Sequence, residues 1–65
     1  MTMQEFLEVT EGEPPIQLID GRMGLITSWT EELVLVTIPG EENHVELPWA
    51  RLAHVGGGAF AERPA

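Results

Sequence analysis

Sixty-five residues are enough for one domain and no more; eleven acidic side chains face three basic ones, and the formal charge is −8. Arg22, Arg51 and Arg63 are the whole cationic complement, with no lysine, which excludes the basic footprint that phosphate binding and anionic membranes select for. The absence of cysteine excludes disulfides and a thiolate zinc site, so stability must come from a small self-sufficient core or from an oligomer.

In chain order, Met3, Phe6 and Leu7 recur at i, i+3, i+4, and Thr2 with Glu5 makes a capping box; together they predict a short amphipathic helix within 2–11. A frayed acidic tail is the competing reading. Gly12 and Pro14-Pro15 end any helix. From Ile16 the pattern turns to β: a strand over 16–19, a tight turn at Asp20-Gly21, and a strand over 22–30 in which Gly24 marks a bulge or bend. Thr30-Glu31-Glu32 is a turn. Leu33–Ile38 is the clearest strand and is apolar at both parities, so both of its faces are expected to be covered. Pro39–Asn43 is a turn, and His44–Leu47 alternates as a half-buried strand does. Pro48 then stops the ladder and presets a 3₁₀ turn that puts Trp49 and Leu52 on one side, before a last strand at 53–55. Gly56-Gly57-Gly58 reads as a flexible joint.

The expected organisation is an acidic N-terminal segment (1–15), an all-β five-stranded barrel with a 3₁₀ turn before its last strand (16–55), and a flexible glycine-rich tail (56–65). Asp20-Gly21-Arg22, Gly24 with Ile26, the 33–38 strand and Leu47-Pro48 resemble the small SH3-like β-barrels, KOW-like and Sm-like domains among them. The resemblance covers residues 16–55 and implies architecture rather than function. Sm-like proteins read RNA through an Asp and an Asn near the turn into strand three and an Arg-Gly before strand five. Here acids stand at Glu31-Glu32, and Glu46–Trp49 has no Arg-Gly, so the resemblance carries no RNA site across.

Catalysis finds no support. Ser28 lacks a nucleophile context, and a barrel of this size fills its interior with side chains, leaving no pocket in which to shift a pKa. Glu41, Glu42, Asn43, His44 and Glu46 cluster without metal-loop spacing and read as a solvated turn, so no metal or other cofactor is expected. The triglycine lacks the Lys-Ser or Lys-Thr of a phosphate loop. Trp49 is expected to pack partly inward and Trp29 to be more exposed. Trp29, Glu31, Glu32 and Arg22 then form an aromatic-acidic patch for a basic, partly apolar protein partner, with Trp49 counted among the partner-binding residues. Plain solubility is the other reading of the charge. The expected function is thus a non-catalytic acidic adaptor, inhibitor or regulator. The alternatives are a small subunit of a homo-oligomer or larger complex, or an Sm-like or KOW-like nucleic-acid module, which the charge disfavours. Acids at Glu5 and Glu8, with no run of about 18 apolar residues, point to a cytoplasmic protein without leader or membrane span.

Overall fold

In the computed structural model, which describes residues 1–64, the capping box closes as its sequence requires. The Glu5 N–H donates to Thr2 Oγ1 (3.1 Å) and the Thr2 N–H donates to Glu5 Oε1 (2.8 Å). Two orphan donors are thereby satisfied, and α1 runs over Met3–Val9. Phe6 is its one buried residue, wholly enclosed, and is the reason the helix docks rather than frays. Its ring meets Trp29, Trp49 and Phe60 at centroid distances of 5.0, 5.4 and 5.2 Å, the offset and edge geometries that aromatic quadrupoles favour. The Met1 ammonium adds bonds to the carbonyls of Trp49 (3.0 Å) and Leu52 (3.2 Å). The N-terminal segment therefore contributes Phe6 to the core beneath the curled sheet.

Six strands follow: β1 (Pro15–Gln17), β2 (Met23–Trp29), β3 (Leu33–Thr37), β4 (Val45–Pro48), β5 (Leu52–Gly56) and β6 (Ala59–Glu62), with a 3₁₀ turn at Trp49–Arg51. They form one curled sheet, a half-barrel, in the order β4-β3-β2-β1-β6-β5. All neighbours are antiparallel except β1 and β6. Period-two burial sets the inner face. Ile16, Ile26, Val34, Val36, Leu47, Leu52 and Phe60 point inward and form the core with Phe6 and Trp49. Among the described residues, no helix is long and apolar enough to cross a membrane.

Two expectations need correction. The five-stranded plan with a flexible tail fails at the triglycine. Gly56, Gly57 and Gly58 all have positive φ (92°, 61° and 76°), and Gly57-Gly58 is the two-residue loop of a β5–β6 hairpin. A type I′ loop demands positive φ at both central residues, which glycine supplies without steric cost. These glycines thus serve geometry rather than flexibility, and β6 inserts between β1 and β5 with Ile16 paired to Phe60. Second, of the two readings of Gly24, bulge or bend, the register excludes the bulge. Gly24 sits in regular register opposite Ile16, and the irregularity in β2 falls between Ile26 and Ser28. A Cβ at Gly24 would lie 2.6 Å from Val36 Cγ1 and 3.0 Å from the Thr37 carbonyl. Glycine is needed there because β2 and β3 approach too closely to admit a Cβ.

Candidate interaction surface

The sequence-predicted patch splits into two places. Trp29 ends β2, half-buried, with its ring set edge-on to Phe6. Trp49 is buried, and its indole N–H donates to the Thr30 carbonyl at 2.9 Å. That bond fastens the Thr30–Glu32 turn to the 3₁₀ turn, and the Thr30 hydroxyl accepts from the N–H groups of Glu32 (3.1 Å) and Leu33 (3.2 Å). Trp29, Trp49, Glu31 and Glu32 thus gather at the α1 end of the half-barrel, with Trp49 as support and Glu31 and Glu32 exposed.

Arg22 is elsewhere. It precedes β2, whose length of about 20 Å separates it from Trp29. Its Nε donates to Asp20 Oδ2 (2.7 Å) and its Nη1 to Glu41 Oε1 (2.8 Å). The Arg22 N–H also donates to Asp20 Oδ1 at 3.0 Å. This backbone bond, then the guanidinium, holds the Asp20 carboxyl below its ordinary range, and the two carboxylates raise the Arg22 guanidinium above its own. Arg51 is spent too, its Nη2 lying 3.1 Å from Glu62 Oε2 in β6. The three ion pairs among the described residues therefore use Asp20, Glu41 and Glu62, and eight carboxylates have no arginine partner.

Near Arg22 lies a feature that the sequence reading missed. Outward-facing Pro15, Met23 and Leu25 of β1 and β2, with Gly24 and Pro39, line an open, almost wholly apolar hollow of about 220 Å³. Met23 is 54% exposed. Leu25, Leu33 and Leu35 continue the outer face as half-buried residues. An antiparallel sheet with one solvated face ordinarily alternates to polar residues there. The signal was present in Met23-Gly24-Leu25-Ile26, apolar at both parities as Leu33–Ile38 is.

The candidate acidic loop is partly committed, because Glu41 is held by Arg22. Among the described residues, no three His, Asp or Glu side chains converge as metal ligands would. No family model, no curated protein and no solved structure matches this chain.

Proposed function

We propose that this protein is a non-catalytic, acidic protein-binding module, built on the SH3-like barrel plan, that docks on a partner with a basic surface. One observation carries the reading: two of the three arginines are consumed by internal pairs, while eight carboxylates have none. Such a surface steers cationic partners toward it and repels phosphate backbones and anionic lipid. Trp29, partly buried against Phe6 and partly open beside Glu31 and Glu32, supplies an aromatic anchor of the kind that concentrates binding energy.

The test is capture of partners from native extract at low and moderate salt, with nuclease treatment and with a Glu31→Gln, Glu32→Gln variant in parallel. A stoichiometric protein partner that survives nuclease, is released by salt and is weakened by the double variant supports the reading. Recovery of nucleic acid alone overturns it and favours the Sm-like or KOW-like alternative.

A second reading is favoured by the two sheet edges. β4 and β5 each lack a neighbour on one side, and Val55 on β5 is 60% exposed. Unpaired edge strands are natural sites for strand addition, which suits a small subunit of an oligomer. Solution mass decides this: a defined multimer supports the subunit, a stable monomer the module.

A further inference from the structure

We infer that the hollow on the outer face of β1 and β2 is the specificity pocket of this module, and that it receives one apolar side chain from a cationic amphipathic segment of the partner. The inference rests on the acidic-module reading and adds a second contact with its own chemistry, at the opposite end of β2 from Trp29.

The volume sets the size of the occupant. About 220 Å³ lies below the range of roughly 300–1,000 Å³ usual for small-molecule sites and suits a side chain of leucine or methionine size. The wall offers almost no polar surface, so whatever enters is apolar. The border sets the charge. Glu13 precedes Pro15 by two residues and Glu42 follows Pro39 by three, while Glu46 lies further off, opposite Leu35 in the β3–β4 ladder. None of these three is ion-paired. The nearest arginine, Arg22, is already shared by Asp20 and Glu41. An apolar centre with an unneutralised acidic border is complementary to an apolar anchor flanked by Lys or Arg.

Other occupants fit less well. A second copy seated by the same face would bring two sets of like carboxylates together, since a two-fold interface matches a surface with itself. Lipid and nucleic acid present anions to the same border.

The experiment uses the whole chain, labelled with ¹⁵N, and two short peptides of equal positive charge, one of leucine and lysine, the other with serine replacing leucine. The leucine peptide is expected to shift the amides of Met23, Gly24, Leu25 and Gly40 and to bind about tenfold or more tightly than the serine peptide. Met23→Lys should weaken it by about tenfold, and Met23→Gln should weaken it without a change of charge. Leu7→Lys and Leu7→Gln are the controls. Leu7 is exposed on α1 to a similar degree (49%), so the same changes there should leave affinity within about threefold. Equal weakening at Met23 and Leu7, or equal binding of the two peptides, overturns the pocket while leaving a diffuse acidic module. Failure of both peptides to bind at low salt overturns the pocket and the module together.

Discussion

Replacing Phe60 by alanine tests whether the β5–β6 hairpin belongs to the fold. Phe60 is 1% exposed, packs on Phe6 with tilted rings 5.2 Å apart and sits opposite Ile16 at the parallel junction of the sheet. Buried Phe→Ala changes cost about 3–5 kcal/mol, because the cavity left behind cannot fully collapse. A domain of 65 residues has about 3–10 kcal/mol in all, at the usual stability per residue. F60A is therefore expected to remove between a third and all of the stability. Urea unfolding followed by fluorescence of Trp29 and Trp49 reads this directly. With a slope of about 1 kcal/mol/M for so small a chain, the midpoint falls by about 3 M or more, or the folded baseline is lost. A loss under about 1 kcal/mol at unchanged slope would refute the reasoning, placing Phe60 at the periphery and the end of the cooperative fold at β5.

Four further outcomes follow from the same geometry. Gly24→Ala should cost about 1–3 kcal/mol in the same unfolding assay, since its Cβ would press on Val36 and the Thr37 carbonyl. Thr10→Val should be neutral or stabilising by up to about 1–2 kcal/mol in thermal melts, because the buried Thr10 hydroxyl has no hydrogen-bond partner among the described residues. Glu5→Gln keeps the cap acceptor and removes only the charge. The folded Glu5 carboxyl lies below its ordinary range, chiefly because the Thr2 N–H donates to it, so its stabilisation is present above the unfolded-state pKa and lost as pH falls through the lower folded one. Wild type should accordingly exceed the variant at neutral pH, and melts at successively lower pH should converge. Arg22→Gln frees Asp20 and Glu41 and should tighten the leucine–lysine peptide in the titration above; weaker binding would mean that Arg22 itself meets the partner.

Where local chemistry is decisive, the fold was legible in advance. Thr2 with Glu5, Asp20-Gly21 and Pro48-Trp49 each specify a backbone geometry by short-range hydrogen bonding or fixed φ, and each element stands within a residue or two of its expected place. The 3₁₀ turn at 49–51 and the short helix are the plainest cases. What failed was a choice between two meanings of the same residues. Glycines confer flexibility or left-handed backbone, and only the partner strand decides between them. Here that strand is Ala59-Phe60-Ala61-Glu62, too short and alanine-rich to announce itself, although Gly-Gly between two short apolar runs is a hairpin signal. The candidate patch failed for a different reason. Arg22 and Trp29 are close in sequence, but an extended strand converts seven residues into nearly the width of the molecule, whose extents are 29 × 23 × 21 Å. Chain distance is a poor guide along a strand and a fair one within a turn, which is why Glu31 and Glu32 did fall beside Trp29 and Trp49.

The parallel pairing of β1 with β6 also bears on how the molecule is made. Residue 16 must wait for residue 60, so the sheet's interior junction is the last to become available as the chain emerges from the ribosome at about 5–20 residues per second. Until then the β1 edge and Phe6 have no partner on that side, and a nascent or nicked chain lacking the final hairpin presents sticky apolar surface instead of a smaller working domain. Intact molecules and fragments lacking Ala59–Glu62 would thus differ sharply in protease sensitivity.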